Sequence, residues 1–297
     1  MEKYKISIKN KFFNFGLLLI ISIILSSYSW CADDDFGELK KLEGFLNKNK
    51  SSMEKLGRGK YRVSDEQFDN IFPPCHFSLG TNNINTSVGL IENEFNDVLT
   101  GKTSISVGTG TIIKNDLNEI LVITAKHVLE EKGIATFTLG SSLFMPGNDG
   151  INYLAKYEAD KVFFHNSQDV AYCKFILKEK RFDENKLKLI KMERSHAAVN
   201  SKKSVSIYHY PFGIEIQRLN KGFIISGNNN HTIPTLGGSS GAPIILDGKI
   251  IGIHSGAHEF EGGTVEFRKE KLDFSRHNYY VRMSNISDDL SDFTERG

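Results

Sequence analysis

From about residue 100 the chain becomes a succession of short runs rich in Val, Ile, Phe, Tyr and Thr, separated by turn residues. The runs occupy 104–113, 120–124, 135–139, 161–165, 170–177, 205–210, 243–246, 249–254 and 279–283. β-branched and aromatic side chains suit a pleated backbone, and Gly, Asn and Asp punctuate it. Each run therefore predicts a strand. Short strands at regular spacing with few helices leave sandwich or barrel architecture, an all-β fold class. The stretch is about 190 residues long, enough for two small barrels.

Composition narrows the partners. Hydrophobic residues make up 39% and charged residues 25% of the 297, which excludes wholesale disorder and a multi-span membrane protein. A formal net charge of +1 provides no basic field for a phosphate backbone, so no nucleic-acid partner is expected. Three cysteines are too few for a disulfide scaffold.

Lys3, Lys5, Lys9 and Lys11 precede an apolar run over 17–25, then small and polar residues, then Cys31-Ala32. This is the layout of a secretory signal peptide, read over residues 1–32. Cleavage after Ser29 or after Ala32 both remain open, and an uncleaved anchor is the alternative, since 12–30 could just span a bilayer. Once cleaved, the chain is expected to be secreted or periplasmic, without stable membrane association and monomeric. Export implies an oxidising compartment, in which Cys75 and Cys173 could pair; two buried free thiols fit equally well.

Residues 33–75 read as an arm, pro-segment or linker. Leu39, Leu42, Leu46, Met53 and Leu56 keep a rough helical spacing, and Gly57 would end a helix. The arm ends near Pro73-Pro74 and carries no catalytic pair, so it is expected to be dispensable for chemistry.

Three contexts carry reactive side chains. His127 follows the run 121–124 in Thr124-Ala125-Lys126-His127-Val128, preceded by Gly108-Thr109-Gly110-Thr111. Asp169-Val170-Ala171 opens a strand. Ser240 lies in Gly237-Gly238-Ser239-Ser240-Gly241-Ala242-Pro243, before a buried strand. A Ser hydroxyl is a weak nucleophile and needs an adjacent base. His serves because its unperturbed pKa, about 6.5, lies near working pH. An Asp behind the His fixes its tautomer and stabilises the imidazolium. Glycines let backbone N–H groups converge on a developing oxyanion; Gly238 and Ser240 are the expected donors. Singly, each context has an ordinary structural explanation; together, in the order His, Asp, Ser, they are far more specific. Gly101-Lys102-Thr103 lacks the glycine a phosphate loop needs, and no His or Cys spacing suits a metal. No cofactor and no metal are expected.

These residues resemble the three signatures of trypsin-like serine peptidases of the chymotrypsin fold. Tyr210-Pro211-Phe212-Gly213 and Gly252-Ile253-His254-Ser255-Gly256 are similar to the bacterial secreted branch that includes glutamyl endopeptidases. The resemblance covers about residues 100–292. It implies two antiparallel six-stranded barrels with a C-terminal helix: a domain over 76–292, with a first barrel of about 76–190 and a second of about 191–292. It implies a serine endopeptidase acting on protein or peptide substrates through His127, Asp169 and Ser240. The rival is a catalytically silent binding module on the same fold. The chain departs from the family twice. Val128 stands where vertebrate enzymes carry a Cys. Ser239 stands where trypsin has an Asp that pairs with a freshly cut N-terminal amine, so that ion pair cannot form here.

Asp247-Gly248 is a two-residue hairpin signal. It pairs 246 with 249, and extending the register puts Ser240 opposite Ser255 and Gly241 opposite His254. In the family that neighbouring segment, His254, Ser255 and Gly256 here, lines the primary pocket and pairs with substrate as an added strand. Thr235 and His254 stand where glutamyl endopeptidases place a Thr and a His, which implies cleavage after Glu or Gln.

Overall fold

The computed structural model describes residues 54–286 apart from 58–59, 76, 79–80, 83, 117, 131–136, 151, 182–186, 194–202, 226–228, 258–262 and 275–277. The signal segment, most of the expected helical stretch and the expected C-terminal helix lie outside the described residues; Leu56 itself lies in a strand.

The first elements are strands β1 (Glu54–Gly57) and β2 (Lys60–Arg62), helix α1 (Asp65–Ile71), and strands β3 (Phe77–Ser78) and β4 (Thr81–Asn82). Strands β5 (Val88–Asp97), β6 (Thr103–Asp116), β7 (Glu119–Thr124), β8 (Phe137–Pro146), β9 (Ala155–Phe164) and β10 (Ala171–Lys180) close into an antiparallel barrel, in the order β10-β7-β6-β5-β8-β9. Ile91, Ile112, Val122, Phe144, Tyr157 and Phe175 fill it. Closure leaves no edge to pair with another chain.

The second half contains β11 (Lys191–Met192), β12 (Ser204–His209), β13 (Arg218–Ile225), β14 (Asn230–His231), β15 (Pro243–Leu246), β16 (Lys249–Ala257), β17 (Gly263–Phe267), β18 (Glu270–Phe274) and β19 (Asn278–Arg282). Strands β16-β15-β12-β13-β14-β19 form a second ring of six, closed by the β16–β19 pairing; β11 adds in parallel to β16. Its core includes Val205, Ile207, Ile224, Ile233 and Ile244. Ile123, Val170 and Tyr172 of the first barrel pack against Ile250, Ile253 and Met283 of the second. That apolar contact fixes the two barrels against each other, with the β7 exit and the turn before β15 on the same side. Hairpin β17–β18 leaves the ring and joins β2 and β1 in a separate four-stranded sheet.

Two expectations are corrected, the start of the barrel strands and the register of β15 with β16. The barrel strands begin at Val88, not near 100: β5 is masked by Glu92, Asn93, Glu94, Asn96 and Asp97, although Asn93 is buried and donates to the Val128 carbonyl at 2.6 Å. Residues 63–75, ahead of the expected boundary at 75, pack on the second half of the chain. Ser64 caps α1 through a reciprocal capping box with Gln67, and Phe68, Ile71 and Phe72 pack with Val63 and Leu236. The chain then runs beside β13, with Cys75 N–H donating to the Gln217 carbonyl at 2.8 Å. The β15–β16 register starts as expected, Leu246 with Lys249 and Ile245 with Ile250, but slips by one residue to pair Ile244 with Gly252. Of the two alternatives left open for the cysteines, a pair or two buried free thiols, the structure has the second: Cys75 and Cys173 are both free and buried, and burial drives the Cys75 thiol pKa up to about 12. Among the described residues no helix is long and apolar enough to cross a membrane.

Candidate active site

The apolar run of β7 ends at Thr124, and a single turn of 3-10 helix, Lys126–Val128, carries His127. Asp169 sits two residues before β10. The loop before it wraps the buried His165 ring, whose Nδ1 accepts from the Ser167 and Gln168 N–H groups at 3.1 and 3.0 Å. The structure brings Asp169 and His127 together at two points. Asp169 Oδ1 accepts the His127 backbone N–H at 3.0 Å, and Oδ2 lies 2.7 Å from His127 Nδ1. The carboxylate thus holds the proton on Nδ1 and leaves Nε2 as the imidazole's acceptor. The Ser255 hydroxyl also donates to Oδ2. Burial alone would raise the Asp169 pKa; the hydrogen bonds and charge from His127, with the bond from Ser255, more than offset it and hold it at about 2.

Ser240 lies in the turn 237–241, which meets the first barrel through Thr109. The Thr109 N–H donates to the Ser240 carbonyl at 2.8 Å, and Thr109 Oγ1 donates to the Gly238 carbonyl at 2.8 Å. The Thr109 carbonyl in turn accepts from Thr124 Oγ1 at 2.7 Å. Gly241, at φ +87°, sits so close to β7 that a Cβ would lie 2.0 Å from Thr124 Oγ1 and 2.9 Å from Ala125 N. The residue after Ser240 therefore touches the chain two residues before His127. Among the described residues the Ser240 hydroxyl makes no hydrogen bond.

Within the turn, the Ser239 N–H is bonded to the Leu236 carbonyl and the Gly241 N–H to the His254 carbonyl. The N–H groups of Gly238 and Ser240 have no acceptor among the described residues. Gly238, at φ +86°, packs on the 210–213 turn, where a Cβ would meet the Tyr210 carbonyl at 2.6 Å.

His254 N–H donates to the Ala242 carbonyl at 2.8 Å, one residue from the register expected for it. On its other edge, β16 pairs with β19 through His254–Tyr280 and Gly256–Tyr279. The Ser255 side chain is buried and its hydroxyl is committed to Asp169. Thr235 is buried in the stretch leading to the turn. His231 Nδ1 accepts the Ile233 N–H at 3.2 Å, so the His231 proton lies on Nε2 and is donated to His254 Nδ1 at 3.1 Å. The His254 proton then lies on Nε2. Burial, reinforced by His231 and other nearby histidines, keeps His254 neutral, opposed weakly by a backbone hydrogen bond with Tyr279.

Sequence reasoning missed the joining roles of Thr109 and Thr124 and the Ser255–Asp169 bond. Thr109 and Thr124 stood inside the quoted motifs, but nothing local tells a bridging hydroxyl from an ordinary strand Thr. Among the described residues no group of three or more His, Cys, Asp or Glu side chains is placed to hold a metal.

Residues 108–253 match the trypsin-like peptidase domain family. The match supports a serine peptidase. Among solved structures, the protease Anisep from Arthrobacter nicotinovorans is 18% identical, with 67% of this chain and 91% of that chain covered and a TM-score of 0.49. The thermostable serine protease AL20 from an extremophilic microorganism is 17% identical, with 66% and 91% covered and a TM-score of 0.44. No curated protein sequence matches the chain.

Proposed function

We propose that the protein is a serine endopeptidase, with Ser240 as nucleophile, His127 as base and Asp169 as the group that orients His127. The observation that carries this reading is the doubly bonded His127–Asp169 pair, set beside a turn whose Gly238 and Ser240 N–H groups have no acceptor among the described residues. Ser240 Oγ attacks the scissile carbonyl as its proton passes to His127 Nε2. The oxyanion takes the Gly238 and Ser240 N–H groups. The proton then goes to the leaving amine, and water, activated by the same His127, hydrolyses the acyl-enzyme.

The residue preference proposed is Glu or Gln. The one proton His254 can offer is on Nε2. A carboxylate or carboxamide oxygen would accept it in competition with the Tyr279 backbone, and the Thr235 hydroxyl adds a second donor. An apolar side chain would satisfy neither, at a cost of about 1–3 kcal/mol for each buried group left unpaired. A domain over about 76–292, export through residues 1–32 and a monomeric state complete the proposal. They rest on the signatures, on the basic-then-apolar N-terminus and on the absence of any composition calling for a stable partner.

Labelling with a fluorophosphonate tests the chemistry: wild type should label and Ser240→Ala should not. Equal labelling of both would overturn the assignment. A peptide library tests the pocket separately; strong cleavage after Lys, Arg or Phe with none after Glu or Gln would overturn the preference alone.

A further inference from the structure

Ser239, the residue before the proposed nucleophile, is fully buried and uncharged, so it cannot anchor the turn by an ion pair. Its Oγ instead lies 2.8 Å from Nδ1 of the buried His209 and accepts the Leu236 N–H at 3.2 Å. His209 Nε2 lies 3.0 Å from Asn220 Oδ1, and Asn220 Nδ2 donates to the Ile71 carbonyl at 2.6 Å. Ile71 is the last residue of α1.

The direction of every bond in this chain follows from its far end. A backbone carbonyl can only accept, so Asn220 must turn its amide nitrogen to Ile71 and its oxygen to His209. His209 must then carry its proton on Nε2. Burial holds its pKa down at about 4, so at neutral pH Nδ1 is bare and accepts the Ser239 hydroxyl proton. A second tie runs beside the first. Leu236, three residues before Ser239, packs its side chain on Phe68, Ile71 and Phe72. Arg218, two residues before Asn220 on β13, binds the Phe72 carbonyl and Asp69, both at 2.7 Å.

We propose that residues 63–75 are a positioning element of the active site, with Asn220, His209 and Ser239 as a directed relay that holds the turn carrying Ser240. The inference rests on the serine-peptidase reading for its effect on rate, but not for its effect on the turn. It also replaces the expectation that the segment before 76 is dispensable. An internal segment that precedes the barrels supplies the support for the turn, and no newly cut terminus is required for it.

The test compares Ser239→Ala, Asn220→Leu and their double variant with wild type in the full-length protein, alongside His209→Gln and His209→Leu. The readouts are the fluorophosphonate labelling rate, kcat and KM, and amide hydrogen exchange over 237–241. A displacement of about 1 Å at a reacting group can lower rate on the order of a hundredfold. Each single variant should therefore label roughly 10- to 100-fold more slowly, with kcat falling and KM near wild type. Because both act through one relay, the double variant should be no slower than the slower single. Gln can present an oxygen to Ser239 and an N–H to Asn220, so His209→Gln should stay within about threefold of wild type while His209→Leu should not. Exchange over 237–241 should quicken in the slow variants. Wild-type labelling in folded Ser239→Ala and Asn220→Leu, losses that multiply in the double variant, or an unchanged turn would overturn the proposal. A wild type that never labels, with a turn that still loosens in Asn220→Leu, would instead overturn the peptidase reading and leave the positioning role standing.

Discussion

The Thr109 N–H donates to the Ser240 carbonyl at 2.8 Å, so a strand of the first barrel is bonded directly to the candidate nucleophile of the second half. The Thr109 hydroxyl adds to this, donating to the Gly238 carbonyl at 2.8 Å and accepting the Tyr210 N–H at 3.1 Å. One buried residue therefore sets the distance between the turn of Ser240 and the strand pair that ends at His127. Thr109→Val keeps the shape and the backbone bond but strands two buried groups, each worth about 1–3 kcal/mol. Urea unfolding should show a loss in that range, with slower Ser240 labelling, and Thr109→Ser should recover most of both.

Ser255→Ala removes one of the hydrogen bonds that stabilise the Asp169 carboxylate. The two His127 bonds remain, so the pair should persist and kcat should fall on the order of tenfold, one charge-assisted hydrogen bond's worth. Asp169→Asn removes the charge and can trap the wrong tautomer of His127; a loss on the order of 10⁴ is expected. A steady-state comparison of the two variants checks the ranking.

The candidate site residues stand out in sequence because each lies in a short local motif. What escaped depended on distant partners. Strand β13 contains Arg218 and Asn220, which look like surface residues in sequence yet are buried against Asp69, Phe72 and Ile71. The α1 signal, Ser64 with Gln67 three residues on, was present, but seven residues give too little periodicity to outweigh the Leu spacing upstream. The Asp247-Gly248 turn set the first two pairs of its hairpin, and the bulge beyond them slips the register by one, so that His254 accepts from the Gly241 N–H and donates to the Ala242 carbonyl.

Buried neutral histidines give the fold a specific acid response. The pKa of His209 is lowered to about 4 and that of His231 to about 3, first by burial. Both lie below the unfolded value, so the unfolded chain binds more protons and stability rises with pH. On acidification from about pH 6.5 each should remove up to about 1.4 kcal/mol per pH unit until its folded pKa is reached. Asp169 acts lower: its contribution is complete above the usual carboxylate range and is lost as pH falls towards about 2. Thermal unfolding from pH 7 to 3.5 should show a steep fall that His209→Gln makes shallower. Equal slopes would count against a neutral buried His209.

The glycines around Ser240 should differ sharply in what they tolerate. Gly241 combines φ +87° with a Cβ position 2.0 Å from Thr124 Oγ1 and 2.1 Å from the Thr109 carbonyl. Gly238 combines φ +86° with 2.6 Å to the Tyr210 carbonyl. A left-handed backbone disfavours any Cβ by roughly 1–2 kcal/mol before these clashes are counted. Gly237 has ordinary backbone and nothing within 4 Å of its Cβ position. Ala at 241 or 238 should therefore cost roughly 2–4 kcal/mol and abolish labelling, while Gly237→Ala should stay within about 0.5 kcal/mol of wild type. Both rigid positions abut fixed backbone, the 210–213 turn on one side and Thr109 and Ala125 on the other, so neither neighbour can swing away as a side chain would. Urea unfolding and labelling of the three variants would decide it: similar losses at 237 and 241 would mean that the turn is not clamped between the barrels.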